Sequence, residues 1–280
     1  MPTDQRVSDG YLITVDVEDH ATAGSTPRFR EALAPLLAAL ERDSLRATFF
    51  VVGSLAPSWR NELIDLAAAG HEIGLHGYAH RFLTRISEDE FRDDLAHGID
   101  TLGEILGHTP AGYRAPYFSL TAQTPWAPQH LLEAGFKYSS SVLPAWNPQA
   151  GYPAAPKSAF RWPNGLVEFP APVFGVGRFG IPLLGGAYVR LAPSAVVNFA
   201  AKRRGNRPGS WTYAHPYDFD TTEPFTRIPD QQWWVTKLLF ARRQLMLNRV
   251  VALAGTDART LQSLAEDANF VSTLPTFRDG

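Results

Sequence analysis

The sequence predicts an α/β protein on a parallel sheet, either open or closed into a barrel. Apolar, β-branched runs alternate with stretches whose apolar residues recur at helical spacing. These β-α units repeat at about 30 residues, enough for a strand, a crossover helix and two turns. Several runs end in acidic or histidine-bearing residues, and ligands of parallel sheets bind at strand C-termini.

The first strand is the run from Tyr11 to Val17, which turns acidic at Asp16, Glu18 and Asp19. Residues Pro27 to Arg42 place Phe29, Leu33, Leu36, Leu37 and Leu40 on one helical face. A second buried strand follows at Ala47 to Val52. Pro57 is expected to open a helix that runs through Ala69 and stops at Gly70. After a short strand, Ile73 to Leu75, comes a long helix from Ser87 to Leu106 with Ser87 and Glu90 spaced as a capping box. Tyr113 and Phe136 to Val142 bracket one more unit. Residues 143–193 break the rhythm: nine of the 22 prolines fall there, with strand-like runs only at Gly165–Phe169 and Val173–Val176. A long ordered segment of this kind is expected to shape a substrate groove. Regular structure resumes with a helix from Pro193 to Arg203, a strand at Trp211–Ala214 and an amphipathic helix from about Pro229 to Asn248. With no clean linker and no internal repeat, residues 1–280 are expected to form a single domain.

Composition narrows the function classes. The chain has 280 residues, a net charge of −2 and 45% hydrophobic residues, enough for a full core without staples. That apolar content excludes disorder, and 22 Gly with 22 Pro exclude a coiled coil. No stretch approaches the roughly 18 unbroken apolar residues of a membrane span. Near-neutral charge argues against a protein that lives on nucleic acid or on an acidic membrane surface. With no cysteine, disulfides, thiolate metal sites and cysteine nucleophiles are all excluded. A polar stretch from Met1 to Gly10 and the lack of an Asn-x-Ser/Thr sequon lead to the expectation of a cytoplasmic protein.

The sharpest local signal is His76-Gly-Tyr-Ala-His80, directly after a strand. Two histidines four apart can face one metal ion, although chance alone supplies roughly 0.2 such pairs in this composition. The acidic cluster Asp16, Glu18 and Asp19 ends the first strand and should converge with them. Three carboxylates that close repel one another unless a cation holds them. Two imidazoles and one carboxylate leave open positions on a divalent ion, as a hydrolytic site requires. Arg114, ahead of Pro116, could orient a carboxylate from another strand end. His215 places a third histidine at the end of a late strand.

These residues resemble the polysaccharide deacetylases of the chitooligosaccharide deacetylase type. Ala47-Thr-Phe-Phe-Val-Val-Gly53 is similar to the family's second strand, and Gly70-His-Glu-Ile-Gly74 leads into the histidine motif in the family's way. Arg114-Ala-Pro-Tyr117 and His215 are similar to later motifs. Val15 to Asp19, Leu184 to Arg190 and His215 to Asp220 look closer to the subgroup associated with bacterial exopolysaccharides. The resemblance implies a distorted (β/α) barrel with fewer than eight strands, and metal-dependent removal of an N-acetyl group from a sugar. It implies that His76 and His80 bind a divalent metal, zinc first with cobalt or nickel as alternatives, together with Asp19 or Glu18. Asp16 would be the general base, Arg114 its support and the Tyr117 backbone N–H an oxyanion donor, while His215 would protonate the leaving amine. A metal can bring the pKa of water from 15.7 to about 7.

Two departures stand out. Asp16, Glu18 and Asp19 compete for roles that two adjacent aspartates fill in the family. Ser139 occupies the place where the subgroup shows an aspartate supporting the catalytic arginine or histidine; Asp218 and Asp220 are the candidates to replace it. Other signals carry less. Gly175-Val-Gly-Arg-Phe-Gly180 matches a dinucleotide fingerprint, but no helix is expected to follow it. Lys202, Arg203, Arg204 and Arg207 read as solvated charges at a helix end, with contact to a phosphate or acidic glycan as the alternative. Among Trp126, Trp146, Trp162 and Trp211, one or two are expected to stack on sugar. The expected partner is thus an N-acetylated carbohydrate. A cyclic amide or ureide hydrolase and a non-catalytic carbohydrate-binding module are the competing readings.

Overall fold

Eight strands join into one sheet in the computed structural model of the protein, which describes residues 10–18, 28–204, 209–228, 232–256 and 258–278. They are β1 (Leu12–Val17), β2 (Ala47–Val51), β3 (Glu72–Leu75), β4 (Gly112–Tyr113), β5 (Tyr138–Ser139), β6 (Phe160–Arg161), β7 (Val167–Glu168) and β8 (Trp211–Ala214). Their order is β6-β7-β5-β4-β3-β2-β1-β8. Every pairing is parallel except β6 with β7, so the parallel set counts seven strands and the antiparallel β6 makes the eighth. This is the expected distorted β/α barrel, with eight strands where fewer were expected because the antiparallel β6 joins the parallel set. The three longest early strands, β1 to β3, are buried along their whole length because helices cover one face and side chains fill the other.

Register sets the site. Val17 pairs with Val51, Val51 with Leu75, Leu75 with Tyr113 and Tyr113 with Ser139. Glu18, His76, Arg114 and Ser140, each one residue further on, therefore emerge at one end of the sheet. On the other side Val15 pairs with Ala214, which brings His215 level with Asp16.

The helices follow from their apolar stripes. α1 (Phe29–Arg42) buries Phe29, Leu33, Leu36 and Leu40. α2 (Arg60–Ala68) buries Leu63 and Leu66. α3 (Glu88–Leu106) starts at the Ser87/Glu90 capping box and ends at Gly107, left-handed at φ 78°. It lies so close to β3 that a Cβ on Gly98 would meet Leu75 Cδ1 at 2.7 Å. α4 (Ala127–Glu133) completes the next unit, and α5 (Gly186–Leu191), α6 (Ser194–Arg204), α7 (Trp233–Phe240), α8 (Met246–Ala254), α9 (Leu261–Ala265) and α10 (Ala268–Thr273) belong to the later half.

Three local expectations are corrected. Pro57 lies inside a 3-10 segment, Gly53–Trp59, ahead of α2. Gly53 N–H and Ser54 N–H donate to the Gly77 and Tyr78 carbonyls, which ties that segment to the histidine loop instead of to a regular helix. Val173–Val176 is not a strand: Pro172 offers no N–H, and only Phe174 pairs, across a hairpin, with Ile181. The helix expected over 229–248 is broken into α7, a 3-10 turn and α8, with Arg242 at φ 56°. Its expected start, Pro229, lies outside the described residues.

At the opposite end of the sheet from the site, buried Glu72 accepts from the Tyr138 hydroxyl at 2.5 Å, Thr48 Oγ1 at 2.7 Å and Gln262 N–H at 2.9 Å. Burial raises its pKa despite those donors. The cluster fastens α9 beneath β2 and β3.

Candidate metal centre and cleft

His76 leaves β3 with its N–H on the Val51 carbonyl. Its Nδ1 lies 2.9 Å from the Arg114 carbonyl, which can only accept, so Nδ1 carries the proton and Nε2 keeps its lone pair. Burial lowers its pKa to about 4, and the ring is a neutral donor at neutral pH. The chain then turns through Gly77 at φ 66° and His80 at φ 52°. Asp94 of α3 clamps that turn by accepting the Tyr78 and Ala79 N–H groups at 2.7 and 3.1 Å. No sequence motif marked Asp94.

Glu18 meets both histidines. Its Oε2 is 2.6 Å from His80 Nε2 and 3.9 Å from His76 Nε2, and one donor atom from each residue lies within 4.8 Å of the others. The His80 contact lacks hydrogen-bond geometry, which leaves Nε2 buried without a hydrogen-bond partner. A tetrahedral ion holding ligands at about 2.0–2.1 Å keeps them about 3.3 Å apart. The observed separations bracket that value, and an orphaned imidazole nitrogen facing a carboxylate is what a divalent cation would satisfy. Burial alone would raise the Glu18 pKa, yet the charges of His215 and His80, the His80 contact and His76 hold it down to about 2. Asp19, the other candidate ligand, lies outside the described residues.

Asp16 is 4% exposed and lines the cleft. Its Oδ1 accepts from Arg114 Nη1 at 2.5 Å. The fully buried Arg114 also donates to Thr14 Oγ1 at 2.9 Å, Ser140 O at 3.2 Å and Ser140 Oγ at 3.0 Å. Its guanidinium packs on Phe50 and Trp211, 4.1 and 4.2 Å from the ring centroids. Ser139 donates to Ser141 Oγ, which accepts the Ala115 N–H at 2.8 Å. Behind this serine run, buried Glu168 accepts from the Ser141 and Val142 N–H groups and from Trp162 Nε1. Burial raises the Glu168 pKa.

His215 lies 3.5 Å from Glu18 Oε1 through Nε2, while Nδ1–H donates to Asp218 Oδ2 at 3.0 Å. Asp218 also accepts the His215 N–H and, on Oδ1, Arg190 Nε at 2.9 Å. Burial opposes charge on His215, but the Asp218 hydrogen bond and the charges of Glu18, Asp218 and Asp16 outweigh it and lift its pKa to about 9. Arg190 in turn donates to the carbonyls of Leu238, Leu239 and Ala241 at the end of α7. Of the two aspartates considered as replacements at Ser139, Asp218 reaches the histidine. Asp220 binds Arg28 at 2.7 Å instead.

Tyr117, at φ 59°, borders the same cleft and stacks its ring on Phe82 with centroids 3.9 Å apart. The cleft is about 470 Å³ and brings together Asp16, Glu18, His76, Tyr117 and His215. Of the four tryptophans singled out, Trp146 lines it and is 57% exposed. Trp126 packs on Phe91, Trp162 serves Glu168 and Trp211 lies against Arg114. The glycine run Gly175–Gly180 forms a hairpin, without the helix a dinucleotide site needs.

Comparison with known proteins adds relatives to this geometry. Residues 11–138 match the family model described as polysaccharide deacetylase, and residues 140–270 match a domain of unknown function, DUF3473. A peptidoglycan-N-acetylglucosamine deacetylase of Bacillus cereus is 34% identical over 93 residues, 33% of this chain and 34% of that one. A peptidoglycan deacetylase of Helicobacter pylori is 30% identical over 108 residues, 39% of this chain and 36% of that one. The chain thus spans about a third of the length of these curated relatives. A crystal structure assigned as a polysaccharide deacetylase from Mycobacterium smegmatis shares the fold at a TM-score of 0.59 and 20% identity, covering 97% of this chain and 94% of that one.

Proposed function

We propose that the cleft of this chain, whose residues 11–138 match the polysaccharide deacetylase family model, hydrolyses the N-acetyl group of an acetylated amino sugar in a glycan, glycolipid or small glycoside. One observation carries the reading. The Glu18, His76 and His80 donor atoms cluster together, and Glu18 and His76 line the same cleft as Asp16 and His215. A divalent metal held by those three donors, zinc first, would supply a Lewis acid for the acetyl carbonyl and make water easier to deprotonate.

This chain's own groups account for the proton traffic. Asp16, fixed through Oδ1 by Arg114, takes a proton from the attacking water. Water oxygen bonds to the acetyl carbon, and the Tyr117 backbone N–H serves the developing oxyanion. The C–N bond then breaks as His215 delivers its Nε2 proton to the departing amine, giving acetate and a free amino sugar. A pKa raised to about 9 keeps that proton in place at neutral pH. Trp146 offers an exposed face for a sugar ring.

The test is acetate release from N-acetylated sugars, chitooligosaccharides and peptidoglycan fragments, before and after chelation and with zinc or cobalt restored. Chelator-sensitive acetate is expected. Metal-loaded protein that releases none would overturn the reading in favour of a cyclic amide substrate or a binding role.

A further inference from the structure

The most uneven stretch of the chain lies beside the cleft. From Phe169 to Tyr217 the sequence carries six Arg and Lys and no Asp or Glu, in a protein whose net charge is −2. The same 49 residues expose Val176, Phe179, Ile181, Tyr188, Val196 and Phe199. Large apolar side chains concentrated in an acid-free stretch of chain are unlike the scattered single exposures of an ordinary solvated face.

The geometry places Val176, Phe179 and Ile181 on one hairpin and packs Phe199 against it. Phe174 and Ile181 exchange backbone hydrogen bonds at 2.8 and 2.9 Å, and Phe179 N–H closes the tip on Val176 O. Lys157 Nζ braces it by donating to Gly175 O and Gly177 O. At the tip Val176 is 88% and Phe179 65% exposed, with the Arg178 guanidinium over the Phe179 ring. Arg178 O accepts the Trp146 N–H, and Gly180, Ile181 and Pro182 line the cleft, so the tip projects at its mouth. On the other side the Phe174 ring meets Phe199 of α6, above which Arg203 lies.

We propose that the 174–181 hairpin and α6 form a docking surface for an anionic phospholipid bilayer, with Val176 and Phe179 entering the interface and Arg178, Lys202 and Arg203 meeting lipid phosphates. Cations beside shallow apolar side chains suit the headgroup region, where each kind of group finds its solvent. A soluble polyanion would satisfy the cations alone and leave the apolar tip in water. Docking in this pose sets the cleft mouth at the membrane surface, within reach of an acceptor anchored there. Only that last consequence rests on the deacetylase reading.

The experiment is co-sedimentation of the full chain with vesicles of phosphatidylcholine alone and of equal parts phosphatidylcholine and phosphatidylglycerol, at low and high salt. Binding is expected to the anionic vesicles only, weakening as salt rises. The double variant Val176→Asp/Phe179→Asp should lose at least about tenfold in partitioning, as should Arg178→Glu/Arg203→Glu. Unchanged thermal midpoints confirm that these exposed positions leave the fold intact. Equal binding to neutral vesicles, undiminished binding by both variants, or no binding at all would overturn the proposal. So would a concentration-dependent dimer that the apolar variant dissolves without any vesicle binding, which would assign the face to a second copy of the chain. None of these readouts involves acetate, so failure here is separate from failure of the catalytic reading.

Discussion

Replacing Arg114 by Met should cost far more stability than replacing Asp16 by Asn, although the two residues form one pair. The guanidinium is fully buried and Asp16 is 4% exposed, with 2.5 Å between Nη1 and Oδ1. Arg114→Met leaves a carboxylate in the floor of the cleft without its cation. Removing one partner of a buried pair costs about 3–5 kcal/mol, and the access of Asp16 to the cleft argues for the lower end, about 3 kcal/mol. Asp16→Asn is milder. Arg114 keeps Thr14, both Ser140 acceptors and the two aromatic faces, and an Asn oxygen can still accept, so about 1–2 kcal/mol is expected. The double variant should be more stable than Arg114→Met alone, because its uncompensated charge is gone. Urea unfolding of the four proteins, closed as a double-mutant cycle, measures this. Strictly additive losses would refute the claim that the pair is an energetic unit. Asp16→Asn also becomes the cleaner catalytic probe: it should keep bound metal and lose about 10²–10⁴ in kcat. A fully active Asp16→Asn would remove Asp16 as the base.

Further outcomes follow from the same contacts. His80→Ala should abolish retention of zinc, read by competition with a chromophoric chelator, with little change in the apo-protein's urea midpoint; retained metal would remove His80 as a ligand. Asp94→Ala should weaken zinc affinity about 10–100-fold through the turn that carries His80, as loss of an outer hydrogen-bonding support does. Asp218→Asn should lower kcat with zinc stoichiometry intact, since the amide can present its donor to Nδ1 and favour the wrong tautomer. His71 gives a pH test away from the cleft. Burial, with the Arg46 charge, lowers its pKa from 6.5 to about 4, and its Nδ1 accepts the Ala47 N–H at 3.3 Å. The unfolded chain takes up this proton first, so stability should fall as pH drops from 6.5 towards 4, by about 1–2 kcal/mol once solvent screening is allowed for. His71→Leu should flatten that limb of the urea midpoint against pH.

What could be read from sequence is what is local in sequence. β1, β2 and β3 are short apolar runs, and α3 announces itself with Ser87 and Glu90. His76, Arg114 and His215 were legible because each follows its strand directly, and parallel register then gathers strand ends without further instruction; His80 was legible from its spacing to His76. Asp94, Glu168 and Arg190 were not. Each acts on a segment 15 or more residues away, and nothing near it in the chain distinguishes it from a surface charge or a core capping group. The broken helix after 232 has the same origin. Periodicity favours one long helix, but Arg190 donates to the Leu238, Leu239 and Ala241 carbonyls at the helix end, where the Ala241 N–H closes a tight turn on Leu238 O and Arg242 turns left-handed. A tertiary guanidinium meets the helix end there.

That contact bears on how the site works with Ser139 in place of an acid. Holding an imidazole as a proton donor needs a carboxylate on Nδ1, and a buried carboxylate needs compensation of its own. Here the carboxylate comes from three residues beyond the histidine, on the 3-10 turn Pro216–Asp218, and Asp218 uses both oxygens: one for the histidine, one for Arg190. Arg190 reaches it fully buried because the end of α7 provides carbonyls for its remaining donors. The strand position of Ser139 is then free for a different task. Ser139, Ser140 and Ser141 form a neutral hydroxyl run, backed by Glu168, that supports Arg114 and the Ala115 N–H. An aspartate at 139 would add a second carboxylate beside buried Glu168, whose own pKa is already raised by burial. Support for the base and support for the acid are thus assigned to separate networks, one across β4 and β5, the other across β8, α5 and α7. Ser139→Asp should therefore destabilise the chain instead of improving turnover, and a variant with unchanged stability and higher kcat would show that the two networks are not independent.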